Sequence, residues 1–195
     1  MKQLRNTFNT MPLIPYNILQ YLMTDDGAEN FWKALKYPTY DCLSKPNLTL
    51  DEKSDLVCFN QTNQENYSIF LTQIVENMIP DEKPILKIYK IKTGFESVTN
   101  GKFSIGDYRF DILYGGKIGV IEYQATPVNR GDFIEMELLK SLNGAEINGG
   151  AGFLEFNNTL SRNCGSYLGL GNSTTYTGVS VVMAIRLANF VNTGC

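Results

Sequence analysis

The chain has 195 residues, 43% of them hydrophobic and 19% charged, with a formal net charge of −3 and no histidine. That length buries one sizeable core, and the composition is that of a folded globular domain, not a disordered segment. The acidic balance leaves no basic footprint for double-stranded nucleic acid, whose phosphates call for clustered Lys and Arg; without histidine, only Lys or a carboxylate remains to activate a Ser, Thr or Cys nucleophile.

In chain order, residues 1–14 read as a polar N-terminal arm and residues 15–195 as a single domain. Pro15 suits a first helical turn, and Ile18, Leu19 and Leu22 share a face, so a helix is expected from about Pro15 to Thr24. Asp26 and Glu29 have capping-box spacing ahead of Ala28, Phe31, Trp32 and Leu35, and Pro38 stops that second helix. Thr49 and Glu52 form another box, opening a short helix to about Leu56. Residues 67–79 fit a helical stripe and an extended segment equally well.

From Ile85 the pattern becomes β-rich. ILKIYKIK reads as a strand, Asn100-Gly101 as a turn, and YRFDILY-GG-KIGVIEYQ as a hairpin turning at Gly115-Gly116. Period-two alternation places Tyr108, Phe110, Ile112 and Tyr114 on one face, with Arg109, Asp111 and Leu113 on the other. A helix over 133–142 follows, capped by Asp132 with Glu135 completing its box; Ile134, Leu138 and Leu142 line its buried face and Asn143-Gly144 ends it. FLEF is a short strand, 157–175 a long polar loop, and TYTGVSVVMAIRLANF a long final strand. The expected class is α+β: a mostly antiparallel β-sheet with a packed helix, preceded by short N-terminal helices.

No catalytic, cofactor or metal residue is assigned. Asp107, Asp111 and Glu122 could pair as acid and base or as Mg²⁺ ligands, although solvated or salt-bridged carboxylates beside Arg109 and Lys117 are the commoner outcome. GSYLGLGNSTT (165–175) is glycine-rich but lacks the G-K-[ST] ending of a phosphate loop. Phe31, Trp32, Tyr37 and Tyr40 could stack on bases, yet without interleaved basic residues a helix-packing or subunit-contact role is favoured. Cys42, Cys58, Cys164 and Cys195 have no C-x-x-C spacing and are expected to be reduced thiols. The sequons at Asn47, Asn60, Asn66, Asn157 and Asn172 then report composition alone, because no apolar run nears the roughly 20 residues of a membrane span and MKQLRNTFNTMPLIPYNIL lacks a signal-peptide core. Synthesis in a host cytoplasm, with no membrane partner, is expected.

FWKALKYPTYDCLSKPNLT (31–49), the YRFDILYGGKIGVIEYQ segment, MELLKSLNGAEINGGAGFLEFN (136–157) and the closing strand together resemble the neck proteins of tailed bacteriophages. These are the head-closure, stopper or tail-terminator subunits of the head–tail connector. The resemblance implies a non-enzymatic virion protein that forms a ring of its own copies, joined to portal, adaptor or tail proteins, with genomic DNA passing through the channel without sequence-specific binding. Two other classes stand beside it: a small carboxylate-dependent enzyme, metal-assisted or not, built on Asp107, Asp111 and Glu122, and an adaptor that binds an extended peptide at a free sheet edge such as the final strand.

Overall fold

The structure, a computed structural model, describes residues 11–60, 63–73, 83–96, 103–147, 152–156 and 176–188. Asn100-Gly101, the 157–175 loop, residues 1–10 of the arm, Cys164, Cys195 and the sequons at Asn157 and Asn172 lie outside these residues.

Helix α1 (Ile14–Thr24) starts as its apolar period requires, with Pro15 in the first turn and Ile18, Leu19 and Leu22 fully buried. A 3-10 turn, Met11–Leu13, precedes it, and Met11 and Ile14 are also core residues. The packed chain therefore reaches back to Met11, inside the boundary drawn for the arm at residue 14. Tyr108 Oη donates to Met11 O at 3.0 Å, which fastens this first turn to the sheet.

Helix α2 (Glu29–Lys36) buries Phe31, Trp32, Ala34 and Leu35. The expected box of Asp26 with Glu29 does not form. Asp25 supplies the cap, accepting from Gly27 N at 2.9 Å over a 3-10 turn, Asp26–Ala28. Glu29 is drawn instead to Lys53. Helix α3 (Leu50–Asp55) has both capping-box bonds, Glu52 N to Thr49 Oγ1 at 3.3 Å and Thr49 N to Glu52 Oε2 at 2.9 Å.

The strands are β1 (Val57–Cys58), β2 (Ile69–Phe70), β3 (Ile85–Glu96), β4 (Phe103–Gly115), β5 (Val120–Tyr123), β6 (Thr126–Asn129), β7 (Glu146–Ile147), β8 (Gly152–Phe156) and β9 (Tyr176–Ala188). The main sheet has the order β1-β2-β3-β4-β9-β8-β7. Pairing is parallel across β1-β2-β3 and antiparallel from β3 to β7. The class is α+β. Alternation decides what packs where: Leu86, Ile88, Tyr108, Phe110, Ile112, Tyr114, Val181, Met183 and Ile185 join the helices in the main core. Ile85, Leu113 and Phe70 form a smaller cluster on the other face.

The hairpin expected at Gly115-Gly116 is not there. β4 pairs with β3 and β9, while Gly116–Ile118 is a 3-10 turn leading into a separate two-stranded sheet, β5-β6. That second hairpin turns at Gln124 and Ala125, whose φ values of 52° and 59° are both left-handed. This conformation costs a side-chain-bearing residue about 1–2 kcal/mol. The final strand β9 lies between β4 and β8, pairing with β4 along its length and with β8 at Met183–Ile185, so the free edge expected there is closed over those three residues.

Helix α4 (Arg130–Leu142) begins earlier than expected because Asn129, not Asp132, is its cap: Asn129 Oδ1 accepts from Gly131 N at 2.8 Å and Asp132 N at 3.1 Å. Tyr114 Oη donates to the same oxygen at 2.8 Å, locking cap to sheet. Ile134, Leu138 and Leu142 are buried as their spacing requires.

The close approach of β4 and β9 depends on Gly178. A Cβ there would lie 2.6 Å from Ile112 O and 2.7 Å from Leu113 Cδ2. Gly178→Ala is therefore expected to cost about 1–3 kcal/mol, because a backbone carbonyl cannot swing aside as a side chain can. Urea denaturation measures this, and a loss below about 0.5 kcal/mol, the range of an ordinary surface substitution, would show that the strands separate freely.

Candidate functional site

The charged side chains that the fold draws inward act chiefly as fasteners. Lys53 on α3 is 4% exposed; it pairs with Glu29, donates to Met23 O at 3.4 Å and lies 5.7 Å from the centre of the Trp32 ring. Trp32 Nε1 in turn donates to Leu22 O at 2.9 Å. One cation thus joins the C-terminal end of α1 to α2 and α3, where helix dipoles favour positive charge. Phe31 and Trp32 are wholly buried and cannot stack on bases, whereas Tyr37 packs partly against the core and Tyr40 is exposed.

Arg130, the first residue of α4, is fully buried. Its guanidinium donates to Ile118 O at 2.5 Å, Ala34 O at 2.6 Å, Tyr37 O at 2.9 Å and Thr39 O at 3.0 Å. Burial holds its pKa below the ordinary arginine value, and burial pushes the neighbouring Cys42 thiol up despite the guanidinium's charge. An arginine stays charged regardless.

On the face of the main sheet opposite the helices lies a polar network. Asp111 accepts from Tyr89 Oη at 2.7 Å, Arg109 Nε at 2.7 Å and Ser180 Oγ at 2.6 Å, with Lys87 Nζ at 3.7 Å. Burial alone would raise its carboxyl pKa; the hydrogen bonds from Ser180, Tyr89 and Arg109 outweigh that and hold it below the usual carboxylate range. Tyr89 and Tyr108 are pushed up, chiefly by burial.

The three carboxylates singled out from the sequence do not converge. Asp107 and Asp111 are both buried on β4, but four residues apart on one strand, or about 13 Å. Glu122 sits in the other sheet, on β5, where its backbone N–H donates to Tyr40 O at 2.8 Å. Lys117 belongs to the Gly116–Ile118 turn. Among the described residues no group of three or more His, Cys, Asp or Glu is placed to hold a metal ion. Cys42 and Cys58 are free thiols.

Among the exposed apolar side chains of the described residues, two groupings share no element. The first is a groove of about 290 Å³ between the β5-β6 hairpin and the first turns of α4, lined by Tyr123, Val128, Asn129, Asp132, Phe133 and Met136. Phe133 is buried at its base, its ring 5.1 Å from that of Tyr123, while Met136 is 39% exposed and the Asp132 carboxylate stands at the rim. Beside it, burial and the negative charge of Asp132 raise the Glu135 carboxyl pKa. The second is a projecting knob: Leu13, Tyr16 and Phe59 are 55%, 43% and 58% exposed, with the Tyr16 and Phe59 rings edge to face at 6.5 Å. Sequence reasoning missed both, along with Arg130, Lys53, Tyr89 and Ser180. The period-two pattern did carry one usable signal, since Arg109 and Asp111 share a face and Lys87 and Tyr89 are likewise two apart on the preceding strand.

No helix among the described residues is long and apolar enough to cross a membrane. No curated protein matches the sequence. The YomW family model matches residues 28–185, a span from just before α2 into the last strand that takes in the groove, Arg130 and the Asp111 network. The chain therefore belongs to the YomW family and is a phage-related protein.

Proposed function

We propose that this chain is a structural subunit of a tailed-phage particle, closing with its own copies into a ring in the head–tail neck and joining portal or adaptor to tail. Genomic DNA passes through the channel without sequence-specific contact, and a net charge of −3 suits a wall that must not retain it. In this reading the protein is not an enzyme and is found in the virion. The observation that carries the reading is that exposed apolar surface occurs on several different elements, among them the groove beside α4 and the cluster of Leu13, Tyr16 and Phe59, with Ile91, Val120 and Phe153 exposed elsewhere. Apolar patches left on a soluble surface commonly mark interaction sites, and a cyclic ring of more than two copies needs two different patches per subunit. The saturation of Asp111 by three hydrogen bonds further favours an anchoring role for the main carboxylate of the enzyme alternative.

The test is to image purified virions by cryo-electron microscopy. A closed ring of this chain between portal and tail is expected; its absence from the particle would overturn the reading. The peptide-adaptor alternative has one observation in its favour, though at a different edge from the final strand. On its outer side β3 pairs with β2 only at Leu86 and Lys87, and Lys90–Thr93 are exposed. An adaptor stays monomeric and gains a bound strand there, so the mass of the purified protein separates the two readings.

A further inference from the structure

We propose that the Lys90-Ile91-Lys92 edge of one copy seats against the Glu146, Phe153 and Glu155 surface of the next, so that subunits join through opposite sides of the main sheet. This rests on the ring reading and adds which surface meets which.

Both surfaces follow from the strand pairing. Lys90 opposes Tyr108 and Lys92 opposes Asp107, so two steps along β3 match one step along β4, and Ile91 is the extra residue of a bulge. On its outer side β3 pairs with β2 only at Leu86 and Lys87, and beyond them Lys90, Ile91 and Lys92 are all exposed, Ile91 by 43%. An apolar side chain thus stands in the open with a cation on each side of it in the chain. At the other end of the sheet, Glu146 of β7 pairs with Phe153 of β8, and alternation puts Glu155 on the same face, opposite to the buried Leu154. Glu146, Phe153 and Glu155 are exposed, Phe153 by 55%. Here an apolar ring has one carboxylate beside it across the strands and another along its own strand.

The two surfaces are opposite in charge and alike in their apolar centres. Residues 85–93 carry three lysines and no carboxylate, whereas β7 and β8 carry two glutamates and no cation. Lysines on an exposed edge hold off the same edge of another copy. The glutamates do so at the other side, since like charges set opposite each other repel. Neither surface therefore pairs with itself across a two-fold axis, and each accepts the other. They cannot meet within one chain, because the order β3-β4-β9-β8-β7 holds them three to four strand spacings apart, or about 14–19 Å. A surface complementary to a different surface of the same molecule makes a head-to-tail contact, which closes into a ring if the rotation allows it. Burial of Ile91 and Phe153 supplies the attraction, while the charges fix register and exclude wrong pairings.

The experiment uses the full chain and reverses charge at exposed residues: Lys90→Glu with Lys92→Glu, Glu146→Lys with Glu155→Lys, and all four together. Native mass spectrometry and sedimentation are the readouts, and urea midpoints close to the parent's confirm that each variant folds. Each double reversal sets like charges against each other and is expected to weaken self-association about tenfold or more. The fourfold variant, with the charges exchanged, is expected to recover most of that loss. Association of the parent is also expected to weaken as salt rises. Reversals that associate like the parent, an exchange that restores nothing, or an association indifferent to salt would each overturn the pairing and leave the ring reading standing. A parent that stays monomeric up to its solubility limit would overturn it too, and would return the β3 edge to the peptide-adaptor alternative. Absence of the chain from the particle overturns the ring reading itself.

Discussion

Arg130→Met is expected to cost about 3–5 kcal/mol of stability, the size seen when a buried charge network loses a member, and to lower the melting temperature by roughly 10 °C or more. The reason is the number of groups that one side chain satisfies. Four backbone carbonyls, from Ala34, Tyr37, Thr39 and Ile118, converge on the guanidinium. Methionine fills the space and donates nothing, and each buried carbonyl left without a partner costs about 1–3 kcal/mol, less where water can enter. Among the described residues no carboxylate pairs with Arg130, so the charge is balanced by carbonyl dipoles, two of them at the C-terminal end of α2, where the macrodipole is negative.

Arg130→Lys is expected to recover less than half of the loss. An ammonium is a point donor on a flexible stem, while the planar fork reaches α2, the turn after it and the Gly116–Ile118 turn at once. Urea denaturation of the three proteins decides the matter. A methionine variant within 1 kcal/mol of the parent, the typical cost of any substitution, would show that the carbonyls find water and that the guanidinium is dispensable.

The local parts of this fold were legible and the distant parts were not. Thr49 and Glu52 form both bonds that their spacing requires, and the apolar periods of α1 and α4 put Ile18, Leu22, Ile134 and Leu138 in the core, because such signals involve residues within one or two turns. Caps were harder, since several residues near one helix start can all accept backbone N–H groups. Asn129 prevails over Asp132 through a hydroxyl donated from Tyr114, fifteen residues earlier in the chain. The false hairpin at Gly115-Gly116 and the overlooked one at Gln124-Ala125 have one cause. Glycine permits a tight turn without requiring it, and tertiary packing can force two ordinary residues into the left-handed region. Strands β1, β2 and β7 have two residues each, too few for any alternation to register.

The candidate site was still less visible. Asp111 was singled out for its chemistry, but its partners Tyr89 and Ser180 lie 22 and 69 residues away, and only the pairing of β4 with both β3 and β9 brings them together. Burial of Lys53 and Arg130 leaves no trace in composition, since the same residues on the surface are commoner. The groove and knob need the folded surface to exist at all.

Asp111 supplies the second large effect, and its dependence on pH separates an anchor from a catalyst. Asp111→Ala leaves Arg109 without its carboxylate and buries Tyr89 and Ser180 hydroxyls without their acceptor, so a loss of about 3–5 kcal/mol at neutral pH is expected. Asp111→Asn keeps the shape but not the charge, and should lose about 1.5–3 kcal/mol, the worth of hydrogen bonding to a charged group. The folded carboxyl pKa is depressed from its unfolded value of 3.8. Its stabilisation is therefore complete above that value and is lost as pH falls through the lower folded pKa. The stability gap between parent and Asp111→Asn is thus expected to be constant from about pH 7 to pH 5 and to narrow below about pH 4. Urea denaturation across that range measures it. A gap that stays open in acid would mean that charge at Asp111 is not what the network holds, and a variant as stable as the parent at every pH would return Asp111 to the list of residues kept for chemistry.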